Sequence, residues 1–173
     1  MKGIMNRTKE KELKQEQTTI SIDRKILVHA LETVVPIIPS NFYNALFEVE
    51  NGKITITATD LNLLFVQCQV EIDDNTKTFR TMCPGPLMLK IINNLASDRV
   101  ELSMTKQTMA VTAGKAHYDF FCMNPDEFPV MPICKFEETF DIDQFILKTA
   151  FKNVSFASYT DASRFALNGA YFS

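Results

Sequence analysis

The stretch TISIDRKILVHALETV (residues 19–34) returns as TFDIDQFILKTAFKNV (residues 139–154), and this repetition decides how the chain is organised. A fixed offset of about a domain's length indicates a repeated structural unit. The match resumes at TyrAsnAla (43–45) and LeuAsnGly (167–169), after a loop that is shorter in the first copy. Because the second copy breaks off at Ser173, we expect one complete unit and about the first third of another. The aligned pairs at an offset of 120 residues are Ile22 with Ile142, Asp23 with Asp143, Leu27 with Leu147, Ala30 with Ala150, and Val34 with Val154.

Each copy predicts a short strand followed by a capped helix. Asp23 and Asp143 stand where an N-cap carboxylate can accept the free backbone N–H groups of a first helical turn. The first helix begins at Arg24 and ends before Pro36, and the second spans Gln144 to Val154. Helical spacing predicts two buried faces: Ile26, Leu27, Ala30, Leu31, Val34 and Val35 in the first helix, and Phe145, Leu147, Ala150, Phe151 and Val154 in the second.

Between the two copies, the sequence predicts antiparallel strands and one more helix. Asn51-Gly52 is a strong hairpin signal because both turn positions need positive φ. Gly85-Pro86 opens the further helix, with proline at its favoured first position. Its expected buried side chains are Leu87, Met88, Ile91, Ile92 and Leu95. The expected strands are Thr18–Ile22, Phe42–Glu48, Lys53–Thr59, Leu63–Ile72, Thr78–Met82, Val100–Thr105, Thr108–Thr112, His117–Met123, Thr139–Ile142 and Phe165–Phe172.

The predicted domain organisation has three parts. Residues 1–17 form a charged, flexible N-terminal extension, residues 18–133 a first module, and residues 134–173 the beginning of a second, truncated module. Prolines 125, 129 and 132 interrupt regular structure, so Asn124–Cys134 is expected to link the modules.

The composition is typical of a globular protein and argues against several function classes. The chain is 46% apolar and 23% charged, with a net charge of −3, so any DNA binding must depend on local basic patches. No window approaches the roughly 18 apolar residues of a membrane span, and there is no signal-peptide core. The four cysteines form no C-x-x-C pair and are expected to be reduced, in a cytoplasmic protein. With only two histidines, no metal or other cofactor is expected.

Three segments of the chain resemble the bacterial DNA polymerase III beta subunits, the beta sliding clamps. They are FEVENGKITITATDLN (47–62), AGKAHYDFFCMNPDEFP (113–129) and FASYTDASRFALNG (156–169). Typical of that family are the A-T-D-L after the hairpin, the run before D-x-F-P, and R-x-x-L-N-G. The resemblance covers about Thr18 to Ser173 and implies an α+β DNA-clamp fold, with two helices packed on curved antiparallel sheets in the first module.

The resemblance also implies a function. A clamp of this family is a ring of modules that encircles duplex DNA without sequence specificity and tethers the replicative polymerase. The expected partners are therefore duplex DNA, the polymerase, the clamp loader and further copies of the chain, with no catalytic residue, membrane or small-molecule substrate. The implied DNA-facing residues lie on the polar stripes of the helices and near the end of the chain: Lys25, His29, Lys90, Asn94, Lys148, Lys152 and Arg164.

Subunits of the family pair an edge strand and a helix of the first module with a neighbouring subunit. The matching edge here is Lys115–Phe121, and the interface residues so implied are Leu87, Ile91, Tyr118 and Phe120. The chain departs from the family where the loop after the first helix is compressed to Pro36–Ser40 without a basic residue. Asp161 and Ala166 also weaken an expected DNA contact. Only Arg164 and Leu167 of the family's peptide-binding pocket are present, so peptide binding is not expected.

Two other functions remain open from the residues alone. A clamp module retained for interaction or dimerisation, in an accessory or mobile-element protein, would fit the short chain and the weakened DNA loop. An enzyme with Cys122 as nucleophile near His117 is disfavoured, because residues five apart on a strand point to opposite faces.

Overall fold

A computed structural model of the protein describes residues 18–62, 64–73, 78–105, 107–131, 139–158 and 169–171. The chain divides into two compact units between residues 131 and 132. The first unit contains eight strands and two α-helices in its described residues: β1 Thr18–Asp23, α1 Arg24–Val34, β2 Asn44–Glu50, β3 Lys53–Thr59, β4 Phe65–Glu71, β5 Phe79–Pro84, α2 Gly85–Asn93, β6 Arg99–Met104, β7 Thr108–Ala113 and β8 Ala116–Phe121.

The strands form two four-stranded antiparallel sheets, ordered β1-β6-β7-β8 and β4-β3-β2-β5. Asn51 and Gly52, at φ 51° and 73°, make the predicted hairpin turn between β2 and β3. The sheets meet where Met82, on the free edge of β5, forms an antiparallel bridge with Met123. The amide of Met123 donates to the carbonyl of Met82 over 2.9 Å, so this bridge is a seam between the two sheets.

The first helix begins where the sequence predicts. One carboxylate oxygen of Asp23 accepts from the amides of Lys25 and Ile26 at 2.8 and 3.2 Å. The buried stripe differs from the prediction at both margins. Ile26 is 51% exposed and Val35 is only partly buried, whereas Val28 is buried although it was not predicted to be. The stripe that packs against the sheets and α2 is Leu27, Val28, Ala30, Leu31 and Val34.

The second helix starts against a crowded surface. A Cβ added to Gly85 would lie 2.9 Å from Cδ1 of Ile38 and 3.3 Å from Cβ of Ala45, so the glycine allows α2 to approach β2. Met88, Ile92 and Leu95 are buried as predicted. Leu87 was expected to be buried but is 49% exposed, because it lies on the outer side of the helix, and Ile91 is only partly buried.

One large apolar cluster fills the first unit and joins both helices to both sheets. Its fully buried large side chains include Phe47, Ile54, Ile56 and Leu102. A smaller cluster of Leu46, Met82 and Phe128 lies at the seam. The predicted arrangement of two helices on antiparallel sheets is therefore present.

The second unit is described mainly through α3, Gln144–Val154. Asp143 caps α3 as Asp23 caps α1, with Oδ1 accepting from Phe145 and Ile146 at 2.9 and 3.1 Å. Thr139–Ile142, predicted as a strand, pairs with no strand in the described part of this unit. The helix face predicted to be buried is exposed at Phe145, Phe151 and Val154, because no described sheet covers it.

Several expectations fall outside the described residues. They are the extension at residues 1–17, Cys134, Asp161, Arg164, Ala166, Leu167 and most of the final strand predicted at Phe165–Phe172. Within the described ranges, no helix is long and apolar enough to cross a membrane. The same ranges contain no cluster of three or more His, Cys, Asp or Glu side chains that could hold a metal ion.

Candidate nucleic-acid interface

The polar sides of α1 and α2 carry the basic residues selected from the sequence. Lys25, His29, Lys90 and Asn94 are all exposed, each pair one helical turn apart. The side-chain amide of Asn94 donates to the carbonyl of Lys90 over 2.7 Å, so part of its hydrogen-bonding capacity closes the end of α2. The helices thus present two lysines and an imidazole to solvent.

Arg24 joins the two helices and was missed from the sequence. Its backbone amide donates to the carbonyl of Asp98 over 2.8 Å, and its guanidinium lies 3.5 Å from the carbonyl of Asn93. The beginning of α1 therefore lies beside the end of α2, which brings Lys25 and Asn94 to the same end of the helix pair. The available signal was the position of Arg24 in the first helical turn, directly after the predicted cap.

Positive charge is concentrated on the helices, although the chain as a whole is acidic. The three α-helices contain five basic residues and one acidic residue, a net charge of +4, against −3 for the chain. The acidic residue is Glu32, on the exposed side of α1. This separation of charge favours contact with a polyanion along the helices. The basic residues are Arg24, Lys25, Lys90, Lys148 and Lys152.

The helix of the second unit repeats the pattern. Lys148 and Lys152 are both exposed and are spaced by one turn. On the rest of its surface, Phe145 and Ile146 are 77% and 60% exposed. This helix therefore offers both a basic stripe and an apolar surface.

The surface expected to pair with another subunit is an open sheet edge. Strand β8 has β7 on one side and no strand on its other side in the described structure. Tyr118 is 41% exposed on this edge strand, and Leu87 is 49% exposed on α2. An edge strand with unpaired backbone groups can pair with another chain.

Phe120 requires a correction. Tyr118 and Phe120 share one face of β8, as predicted, but that face is the inner one, opposite Val111 and Met109 of β7. Phe120 is therefore 4% exposed and belongs to the core. Phe121, on the other face, is 87% exposed. Because adjacent side chains on a strand point to opposite faces, assigning Phe120 to the core would have predicted an exposed Phe121.

The residues of the disfavoured enzyme hypothesis do not form a catalytic pair. The ring nitrogens of His117 lie 2.9 Å from Oγ1 of Thr112 and 3.3 Å from Oδ1 of Asp119. The sulfur of Cys122 instead contacts the sulfur of Cys83. In the described structure, neither contact joins a cysteine to a histidine.

Comparison with known families gives a match over most of the first unit. The profile of the DNA polymerase III beta subunit N-terminal domain matches residues 18–132. A beta sliding clamp from Chlamydia muridarum is 26% identical over 158 residues, covering 88% of this chain and 43% of that protein. One from Staphylococcus epidermidis is 27% identical over 129 residues, covering 70% of this chain and 34% of that protein.

Solved structures show the same fold. The DNA polymerase III subunit beta from Pseudomonas aeruginosa superposes with a TM-score of 0.81 at 23% identity, covering 88% of this chain and 42% of that chain. The sliding clamp from Bartonella birtlesii, bound to griselimycin, gives 0.81 at 25% identity, covering 89% and 42%. The chain spans less than half the length of each of these relatives.

Proposed function

The chain belongs to the DNA polymerase III beta subunit family, and we propose that it acts as the N-terminal portion of a DNA sliding clamp. The observation that carries the proposal is the family match over residues 18–132. The concentration of positive charge on the helices of an acidic chain supports it.

Sliding on DNA sets particular chemical requirements. A protein that moves along a duplex must contact phosphates and avoid base edges, because base contacts fix the sequence at which it stops. Phosphate contacts from lysines are exchangeable and sequence-independent. The exposed stripes of Lys25 and His29, Lys90 and Asn94, and Lys148 and Lys152 meet this requirement. They contain no Phe, Tyr or Trp side chain on which a base could stack.

Assembly and partners follow from the same proposal. The open edge of β8 at Tyr118, with Leu87 and Ile91 on α2, would pair with another subunit. The assembled clamp would tether the replicative polymerase in the cytoplasm after a clamp loader closed it around DNA. Such a clamp has no catalytic step, so neither a cofactor nor a small-molecule substrate is needed. Arg164 would join the DNA contacts of the second unit.

The salt dependence of duplex binding tests the role of the helix lysines. Each lost phosphate contact flattens the slope of log K against log salt by about 0.9. Replacing Lys25 and Lys90 by alanine in the full chain should therefore reduce the slope by about 1.8. Binding by the chain without an encircling ring is expected to be weak, so the measurement begins at low salt.

A matched control removes the same charge elsewhere in the first unit. Lys53, beside the β2–β3 turn, and Lys115, beside β8, are both exposed and lie outside the helices. The Lys53→Ala, Lys115→Ala variant should keep the original slope. Equal slopes in the two double variants would show that DNA responds only to net charge, and the proposed helix surface would be wrong.

A second function retains support from one observation. The exposed Phe145, Ile146 and Phe156 favour a protein–protein contact. A clamp-derived interaction or dimerisation module without DNA binding would use this surface. Such a protein would bind duplex no more tightly than an unrelated protein of the same charge, even at low salt.

A further inference from the structure

Two cysteines that are 39 positions apart in the sequence meet at the seam between the sheets. Cys83 lies in β5, and Cys122 directly follows β8. Their Sγ atoms are 2.9 Å apart. Cys83 is fully buried and Cys122 is partly exposed.

The backbone at the seam positions the two residues for a covalent bond. Met82 and Met123 form a hydrogen-bonded antiparallel pair. Because the strands run antiparallel, Cys83 and Cys122 form the adjacent cross-strand pair. The pair that follows a hydrogen-bonded one has Cα atoms about 4.5 Å apart. That separation lies within the range that a disulfide spans, about 4.4–6.8 Å. A small rotation of the side chains is therefore enough to bring the sulfurs to bonding distance.

The two thiols are chemically unequal. The pKa of the Cys122 thiol is lowered mainly by the hydrogen bond from Cys83. Burial acts to raise this pKa, and the side chain of Thr81 acts to lower it. The pKa of the Cys83 thiol is raised by its hydrogen bond to Cys122, by burial and by the neighbouring thiolate charge. Cys122 is thus the more readily ionised sulfur and also the more accessible one. A reactive cysteine needs both properties.

Thr81 makes the contribution named above through its side-chain hydroxyl. Its side chain is fully buried, and its Oγ1 has no hydrogen-bond partner within the described structure. Thr81 and Cys83 are two residues apart on β5 and so share a face. The buried hydroxyl can therefore donate to a thiolate at Cys122, which would satisfy an otherwise unpaired polar group.

We propose that Cys83 and Cys122 form a dithiol modification site that closes to an intramolecular disulfide when a low-molecular-weight disulfide, such as oxidised glutathione, supplies the oxidising equivalents. The Cys122 thiolate attacks one sulfur of the oxidant, and one glutathione thiolate leaves. Cys83 then loses its proton and attacks the Cys122 sulfur of the mixed disulfide, releasing the second thiolate. Both glutathione thiolates are protonated by the two protons that the cysteines release. The protein loses two electrons, and the oxidant is reduced to two thiols.

The bond would join the two sheets covalently across their seam. It closes a loop of about 40 residues that contains α2, β6, β7 and β8. A cross-link of this length stabilises mainly by restricting the unfolded chain. Cys68 cannot replace either partner, because β4 and β5 lie at opposite edges of their sheet.

The test is oxidation of the full chain with oxidised glutathione, followed by alkylation and peptide mapping. The expected product runs as a single chain in denaturing, non-reducing electrophoresis, contains a Cys83–Cys122 linked peptide and keeps Cys68 alkylatable. Its melting temperature should exceed that of the reduced protein by on the order of 10 °C. Adding dithiothreitol should restore the melting temperature of the reduced protein. Cys68→Ala should behave as the original chain, whereas Cys122→Ala should show no shift.

Four results would contradict the proposal, and each can be read from the unsubstituted protein. Both thiols could remain alkylatable after oxidation. Glutathione could stay on Cys122, which would show that Cys83 does not resolve the mixed disulfide. The linked peptide could instead join two different chains. A cross-link that forms without raising the melting temperature would contradict the stapling of the sheets.

Discussion

At the scale of single residues, burial follows the apolar periodicity with errors at the margins of each stripe. Leu27, Leu31 and Ile92 are fully buried, as their spacing predicts. Ile26 and Leu87 are half-exposed, because periodicity finds the centre of a buried face and not its width. Ile26 and Val28 flank Leu27 on opposite sides of the helix, and only packing against the sheets selects Val28.

Ile92→Ala is expected to destabilise the first unit by about 2–5 kcal/mol, because it removes a fully buried side chain and leaves a cavity. Leu87→Ala removes a similar volume from the same helix at a side chain that is 49% exposed, and should cost less than about 1 kcal/mol. Urea unfolding monitored by circular dichroism measures both. Equal costs for the two variants would mean that Ile92 is not a core residue.

At the scale of elements, local signals located the helices better than the strands. Helices α1 and α3 begin one residue after Asp23 and Asp143. Helix α3 ends at the predicted Val154, and α1 ends at Val34, one residue before the end that Pro36 predicted. Most observed strand ends differ from the predicted ones by one or two residues, because the last residue pairs of a strand ladder depend on a partner distant in sequence. Thr139–Ile142 has the alternation of a strand, and among the described residues it has no partner to pair with.

The cap of α1 gives a prediction at this scale. Asp23→Ala should lower the free energy of unfolding by about 0.5–2 kcal/mol, because two backbone amides lose their acceptor. Asp23→Asn should retain most of the stability, since asparagine also caps. Asp98→Ala removes the same charge at an exposed loop residue and should change stability by less than about 0.5 kcal/mol. Urea melts of the three variants measure the difference, and an Asp98 effect as large as that of Asp23 would indicate a charge effect and no cap.

At the scale of the whole molecule, the repeated segment predicted the modular organisation, and the motifs at 47–62, 113–129 and 156–169 predicted the family and the fold of the first unit. The candidate site was less predictable. The lysine stripes could be read from the sequence because helix periodicity places them opposite the core. The proximity of Arg24 to Asn93, and the contact between Cys83 and Cys122, depend on long-range packing that spacing does not encode.

The exposed apolar side chains of the second unit predict that the chain self-associates. Phe145, Phe156 and Tyr171 are 77%, 84% and 92% exposed, and apolar surface of this kind recruits other chains. Light scattering should detect oligomers of the full chain at micromolar concentration, and monomers when the chain is ended at Cys134. The double variant Phe145→Ser, Phe156→Ser should reduce association, whereas Phe121→Ser, on the edge strand of the first unit, should reduce it less. Monodisperse monomers of the full chain, with residues 139–173 resistant to protease, would contradict this expectation.

We propose that the helices, and not the sheets, face DNA. A nuclear magnetic resonance titration of the full chain with a short duplex at low salt tests it without requiring a closed ring. We expect amide shift changes concentrated in α1 and α2 around Lys25 and Lys90, independent of DNA sequence and suppressed by added salt. Changes centred on the sheet turns near Lys53 and Lys115, or no changes at low salt, would contradict it.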